Sequence, residues 1–234
     1  MSRSISPIIL ALDTDDLSLA ANWIAATRAS VDIYKVGLTF FLKHGASGLL
    51  ALRATGDFEL FLDLKLHDIP NTVAGAVSSV RDLKPRFLTV HAAGGGAMVK
   101  AAVDAAPEIS ITGVTVLTSL DAAELSLLGV KQSPLTYALS LVTRAVESGA
   151  KSIVCSPLEV AAIRGQVGST IELITPGVRP LGSEAADQSR VMTPPEALAA
   201  GADFLVIGRP ISSYWSKSPA AMGERAHEIL ESLL

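Results

Sequence analysis

The feature that most constrains this chain is the regular alternation of short apolar runs with amphipathic segments from end to end. The apolar runs are nearly continuous and close on a polar residue or a glycine, which is typical of parallel strands buried on both faces. They predict strands over residues 8–13, 32–37, 58–65, 87–91, 111–118, 152–156, 171–177 and 204–208. The intervening patterns predict helices over residues 15–30, 38–54, 72–83, 97–106, 134–148, 157–165, 195–200 and 219–233.

Eight strand–helix units in 234 residues give about 29 residues per unit, the size of a minimal (β/α)8 TIM barrel. An open, doubly wound α/β sheet is the competing arrangement. The even spacing and the lack of a linker or composition break favour the closed barrel. We therefore predict a single α/β domain over residues 1–234.

Composition excludes several other classes of protein. Hydrophobic residues make up 49% of the chain and charged residues 18%, which is too apolar for a disordered chain. The net charge of −4 argues against nucleic-acid binding but leaves a small anionic ligand open. Cys155 is the one cysteine, so no internal disulfide can form, and the apolar run 8–12 is too short for a signal peptide or membrane span. We expect a cytoplasmic protein that does not bind a membrane.

In a TIM barrel, chemistry belongs at the carboxyl ends of the strands, and in this sequence those ends are rich in polar groups. Residues two apart on a strand share a face, so Asp63 and Lys65 should point together into the barrel mouth. Lys35 ends the neighbouring strand and Asp68 follows in the next loop, so the four could form an array of alternating charge. A structural salt-bridge network is the alternative reading. As a reactive site, a lysine held between carboxylates stays protonated, and it could stabilise a carbanion and protonate it.

This charged segment also carries a family resemblance. The run Asp63-Leu64-Lys65-Leu66-His67-Asp68-Ile69-Pro70-Asn71-Thr72 resembles the signature of the orotidine 5′-phosphate decarboxylase family. Further blocks that resemble the family occur in the family's order at residues 11–13, 34–37, 90–95, 117–119, 175–180, 187–188, 190–194 and 208–210.

The resemblance implies decarboxylation of orotidine 5′-monophosphate to uridine 5′-monophosphate and CO₂, the last step of de novo UMP synthesis. It implies neither a metal nor an organic cofactor, so fixed protein charges must stabilise the carbanion at C6 of the pyrimidine. Lys65 would stabilise that carbanion and protonate it, and Asp63 would lie beside the departing carboxylate. Lys35 would bridge Asp63 and the ribose hydroxyls.

The resemblance also implies a homodimer with shared sites, in which Asp68 and Thr72 reach into the partner's active site. Asp13 would bind a ribose hydroxyl, although it could instead cap the following helix. Thr118 and Ser119 would border the pyrimidine, or merely form a turn at the end of the strand.

The phosphate would be bound by the loops after the seventh and eighth strands, as in other phosphate-binding barrels. Arg209 would supply the charge, and Gly208 would allow close approach of the backbone. Gln188 would clamp the phosphate from a closing loop over residues 178–189, with Arg179 at the base of that loop. Exposed surface arginines are the alternative for Arg179 and Arg209.

Two other functions remain open. Metal-dependent members of the same superfamily, 3-keto-L-gulonate 6-phosphate decarboxylase and hexulose-6-phosphate synthase, share the Asp-x-Lys-x-x-Asp spacing of residues 63–68. The continuation Ile69-Pro70-Asn71-Thr72, with Lys35 and Gln188, favours the pyrimidine enzyme. A non-catalytic nucleotide sensor would need the phosphate and ribose groups but not four alternating charges.

Overall fold

The architecture is a closed barrel of parallel strands, in a computed structural model that describes residues 5–180 and 192–233. The strands pair in chain order and close from last to first. They are β1 (Ile8–Ala11), β2 (Ile33–Gly37), β3 (Glu59–Leu66), β4 (Phe87–His91), β5 (Ser110–Val114), β6 (Ser152–Val154), β7 (Glu172–Pro176) and β8 (Phe204–Ile207). The α-helices are α1 (Leu17–Thr27), α2 (Leu38–Arg53), α3 (Pro70–Val80), α4 (Gly96–Ala105), α5 (Ala122–Leu127), α6 (Pro134–Glu147), α7 (Val160–Val167), α8 (Pro194–Ala199), α9 (Arg209–Ser212) and α10 (Pro219–Glu231).

Closure of the sheet confirms the predicted TIM barrel and rules out the open doubly wound arrangement. Leu10 on β1 pairs with Tyr34 on β2 and with Ile207 on β8, so no strand is left at an edge. Every strand is buried on both faces because its inward side chains fill the barrel and its outward side chains pack under the helices. The continuous apolar runs in the sequence reflect this double burial.

Aromatic rings close the amino-terminal end of the barrel. Phe87 packs edge-on against Phe61 and Phe204, with ring centroids 5.7 and 5.6 Å apart. The Arg86 guanidinium lies over the rings of Phe87 and Phe204 and pairs with Glu172 at 2.9 Å. The interior is therefore filled at this end, and space for a ligand remains at the carboxyl ends of the strands.

The helix starts follow local capping chemistry. Asp16 caps α1, since its side chain accepts a hydrogen bond from the Leu19 N–H at 2.9 Å. Ser133 caps α6 in the same way, and Pro134 then occupies the first turn. Thr193 and Glu196 form a reciprocal capping box at α8.

Three local features differ from the sequence prediction. Strand β5 ends at Val114 rather than at residue 118, because the chain bends at Val116 and then forms a turn in which the Leu120 N–H donates to Leu117 O. Helix α5, capped by Asp121, and the single-turn helix α9 were not predicted, since both are too short to show helical periodicity. Among the helices of the described residues, none combines the length and the apolar character that crossing a bilayer requires.

Candidate active site

A cavity of about 280 Å³ opens at the carboxyl ends of the strands. Most of the residues predicted for the site line it: Asp13, Lys35, Asp63, Lys65, Thr118, Arg179, Gly208 and Arg209. Apolar side chains, including Val114, Val154, Pro176 and Val206, line other parts of its wall. Charged groups therefore face a space that is partly bounded by apolar surface, where electrostatic interactions are stronger than in water.

Two ammonium groups converge on the carboxylate of Asp63. Lys65 Nζ donates to both Asp63 oxygens at 2.8 Å, and Lys35 Nζ lies 3.5 Å from Asp63 Oδ2. Lys35 also donates to Asp13 Oδ1 at 3.2 Å. The charges thus alternate in the order Asp13, Lys35, Asp63, Lys65.

The Asp63 carboxylate is buried yet ionised. Asp63 is 8% exposed, and burial alone would raise the pKa of its carboxyl group. The charges of Lys35 and Lys65, with hydrogen bonds from Lys65 and Thr89, outweigh burial and hold the pKa below its ordinary value of 3.8. A fixed negative charge is therefore present at neutral pH, and it orients both lysines.

Asp13 pairs with a lysine and does not cap the helix that follows. Asp16 performs the capping, so the structure removes the alternative reading of Asp13. A Cβ atom added at Gly208 would lie 3.4 Å from Asp13 Oδ2, which places the end of β8 directly beside this carboxylate.

The two arginines predicted to bind phosphate both line the cavity. Arg179 is buried, and its backbone N–H donates to Met192 O at 2.9 Å. Arg209 is an exposed residue at the start of α9. Because both reach the same cavity, neither is simply a surface arginine remote from the site.

Cys155 lines the cavity, but its buried thiol is poorly suited to act as a nucleophile. Burial raises the pKa of its thiol to about 12, so the reactive thiolate is not formed at neutral pH. The thiol is 1% exposed, as expected for a small buried hydrophobic group.

Comparison with known proteins assigns this barrel to a family. Residues 6–226 match the family model described as "Orotidine 5'-phosphate decarboxylase / HUMPS family". The chain belongs to this family. The "Orotidine 5'-phosphate decarboxylase" of Thermobifida fusca (strain YX) is 55% identical over 207 residues, which cover 88% of this chain and 89% of the relative.

Other relatives agree with this assignment. The "Orotidine 5'-phosphate decarboxylase" of Paramagnetospirillum magneticum is 45% identical over 226 residues, covering 93% of this chain and 96% of the relative. The crystal structure of "Orotidine 5'-phosphate decarboxylase from Lactobacillus acidophilus" superposes with a TM-score of 0.81 at 32% identity, covering 96% of this chain and 99% of that one. This family member therefore has the fold of its relatives over almost its whole length.

Three residues that the family resemblance implied do not line this cavity, and two of them, Asp68 and Thr72, were expected to act in the partner's site rather than in their own. Asp68 and Thr72 are exposed and do not line the cavity, and Asp68 Oδ1 accepts instead from the Ile69 N–H at 2.6 Å. Ser119 is exposed and also does not line the cavity, whereas Thr118 does. Gln188 lies outside the described residues. Within one chain, Asp13 thus replaces Asp68 in the alternating array.

Sequence reasoning gave no role to Thr89, which contacts the ion cluster directly. Its hydroxyl donates to Asp63 Oδ1 at 3.0 Å. The signal was available in the period-two pattern of the fourth strand, which puts Thr89 on the same inward face as Phe87. A polar residue on an inward face of a barrel strand is a candidate partner for buried charge.

Proposed function

We propose that this protein decarboxylates orotidine 5′-monophosphate to uridine 5′-monophosphate and CO₂, the final step of de novo UMP synthesis. Two relatives named orotidine 5′-phosphate decarboxylase, which are 55% and 45% identical over most of the chain, support this substrate. The family match over residues 6–226 also supports one domain over residues 1–234. For an enzyme of nucleotide metabolism we propose a cytoplasmic location.

The observation that carries the proposal is the Lys65 ammonium, which Asp63 holds inside the cavity at 2.8 Å. In the proposed reaction the bond between C6 and the carboxylate breaks, CO₂ leaves, and the electron pair stays on C6. Lys65 stabilises this carbanion by its charge and then transfers a proton from Nζ to C6. The neutral amine regains a proton from solvent, so the protein ends the cycle unchanged.

Asp63 would act by position and charge. Its ionised carboxylate would lie beside the substrate carboxylate, and departure of CO₂ would relieve the repulsion between them. It also keeps the Lys65 ammonium in place, which limits the reorganisation needed during the reaction. No organic or metal cofactor is required in this scheme, since the fixed cations stabilise the developing negative charge.

The remaining cavity residues would hold the nucleotide. Lys35 and Asp13 would bind the ribose hydroxyls, because they form the outer part of the ion array. Arg209 and Arg179 would bind the phosphate, with Gly208 giving the backbone access and Gln188 closing over it. Thr118 and Ser119 would border the pyrimidine.

Turnover in the presence of a chelator tests the reaction and separates it from the metal-dependent chemistry of the same superfamily. Purified protein in EDTA should convert orotidine 5′-monophosphate to UMP. The loss of the substrate's absorbance measures this conversion. Activity that disappears in EDTA and returns with Mg²⁺ would favour the metal-dependent alternative. Binding of UMP without any turnover would favour a nucleotide sensor.

We further propose that the active form is a homodimer in which Asp68 and Thr72 complete the partner's site. Both residues are exposed at the barrel mouth, outside the cavity of their own chain. Ile69, between them in sequence, is 67% exposed, so this segment presents an apolar side chain that the second subunit would cover in the proposed dimer.

Mixing two inactive variants tests the shared site. In a dimer of Lys65→Ala and Asp68→Ala subunits, one site has both native groups if Asp68 acts across the interface. Random exchange should then restore about a quarter of wild-type activity. No restoration, in a mixture shown by native mass spectrometry to contain the mixed dimer, would contradict the shared site.

A further inference from the structure

Lys65 has an unusual backbone conformation within a strand. Its φ is +48°, and in the described residues Lys84 is the one other non-glycine residue with a positive φ. Lys84 lies in an exposed turn after a 3₁₀ helix, where such a value is common. Lys65 lies inside β3, where the pairing with β4 shifts its register between Leu62 and Leu66. A strained residue of this kind persists only where its surroundings hold it in place.

The Thr89 hydroxyl supplies the interaction that holds it. Thr89 Oγ1 accepts a hydrogen bond from the Lys65 backbone N–H at 2.7 Å and donates one to Asp63 Oδ1 at 3.0 Å. A hydroxyl can donate only one hydrogen bond, and a backbone N–H can donate a hydrogen bond but cannot accept one. The direction of both hydrogen bonds is therefore fixed: the Thr89 hydroxyl accepts from the Lys65 N–H and donates to the Asp63 carboxylate.

Burial makes this arrangement specific to the hydroxyl. Thr89 is 0% exposed, so solvent does not compete for either hydrogen bond. Its one oxygen joins the backbone of Lys65 to the carboxylate that binds the Lys65 ammonium. The main chain and the side chain of this lysine are thus anchored to the same small group of atoms.

We propose that Thr89 is a positioning residue for the decarboxylation, which sets the direction of the Lys65 ammonium through the bulge in β3 and through Asp63. This inference rests on the proposed function, because it assigns Thr89 a part in that reaction. Thr89 lies in β4 behind the ion pair and is not among the residues lining the cavity, so it acts through Lys65 and Asp63 rather than on the substrate.

The isosteric change Thr89→Val tests the proposal. It keeps the shape of the side chain but leaves the Lys65 N–H and one Asp63 acceptor position without their partner. A displaced ammonium should lower kcat by about 10- to 100-fold, because small errors in placement are costly in catalysis. KM for orotidine 5′-monophosphate should stay within about twofold, since phosphate and ribose contacts remain. Thr89→Ser, which restores the hydroxyl, should recover most of kcat.

Thr112→Val is the matched control. Thr112 is the cross-strand neighbour of Thr89 and equally buried, but its hydroxyl bonds to Ser110 O and Ser152 Oγ, away from the ion cluster. It should lose stability without a selective loss of kcat. If Thr89→Val does not fold, Thr89→Ala serves in its place. A kcat for the Thr89 variant equal to that of the control would overturn the proposal.

Crystal structures of wild type and Thr89→Val separate this proposal from the proposed function. Failure of the wild-type protein to act on orotidine 5′-monophosphate would refute the function alone. The positioning of Lys65 would then be judged from the structures, where we expect its Nζ to leave Asp63 in the variant. An unmoved Lys65 would refute the positioning role whether or not the wild type is active.

Discussion

Replacement of Lys65 by alanine should separate the contribution of this residue to stability from its contribution to catalysis. The side chain is 32% exposed, and its ammonium bonds to both Asp63 oxygens at 2.8 Å. Removing it leaves Asp63 with two other partners, Lys35 at 3.5 Å and the Thr89 hydroxyl at 3.0 Å. The carboxylate is therefore not left as an unpaired buried charge.

The stability cost follows from that remaining pairing. Removing the only partner of a buried charge lowers the free energy of unfolding by about 3–5 kcal/mol. Removing one charged hydrogen-bonding partner among several lowers it by about 1.5–3 kcal/mol. Partial exposure of Lys65 reduces this further, to about 1–2 kcal/mol of unfolding free energy. For a chain of 234 residues, the melting temperature should fall by about 2–8 °C.

The cost to catalysis should be much larger. Loss of a general acid slows reactions by about 10²–10⁴-fold, and loss of a group that stabilises transition-state charge by about 10²–10³-fold. Because Lys65 would serve both purposes, kcat/KM should fall by at least about 10⁴-fold, or about 5 kcal/mol of transition-state stabilisation.

Steady-state decarboxylation and urea unfolding of the same preparation measure both quantities. Lys43→Ala is the matched control, because Lys43 also pairs with an aspartate at 2.8 Å but lies half-exposed on the surface with Asp15. It should change neither kcat/KM nor stability appreciably. A Lys65→Ala variant that folds and keeps kcat/KM within tenfold of wild type would refute the assigned role.

Three further predictions concern other parts of the molecule. Arg209→Ala should raise KM for orotidine 5′-monophosphate by about 10- to 100-fold through lost phosphate binding, and steady-state kinetics with unchanged KM and kcat would contradict this placement. The lowered pKa of Asp63 means that its ion pairs stabilise the fold fully above the unfolded value of 3.8 and progressively less as the pH falls through the folded value. The unfolding free-energy difference between wild type and Asp63→Asn should therefore be constant above about pH 5 and shrink below about pH 4, and a difference that stays flat in acid would argue against the ion-pair account. Arg164 donates to Gly201 O at 2.8 Å, to Ile171 O at 2.9 Å and to Asp203. Arg164→Ala should therefore lower the free energy of unfolding, measured in urea, by about 2–4 kcal/mol and leave kcat unchanged. A selective fall in kcat would contradict this structural role.

Much of the fold was predictable because burial on both faces leaves a strong signal in sequence. The run that became β8 is almost purely apolar, and it has no exposed edge in the barrel. The end of β5 was not predictable. Val116 is apolar and is buried in the loop that forms here, and it would be buried equally if the strand continued. Burial alone does not distinguish these two backbones.

The candidate site was predictable where residues on one strand share a face, as with Asp63 and Lys65. The choice between helix cap and ion pair for Asp13 was not, because both roles suit an aspartate at a strand end. The period-two pattern of the fourth strand shows that Thr89 is a polar residue facing inward, but its contact with the Lys65 backbone depends on the register shift between β3 and β4, which the sequence of one strand does not reveal. The proposed role of Asp68 requires a second subunit, which the sequence of one chain does not position.

In the proposed reaction, the Lys65 ammonium faces the reacting carbon of the pyrimidine. A crystal structure with a UMP-like inhibitor measures this directly. We predict Lys65 Nζ within hydrogen-bond reach of the C6 position while it still bonds to Asp63, with the phosphate on Arg209. An ammonium directed away from the heterocycle would refute the role of Lys65 as the group that stabilises and protonates C6.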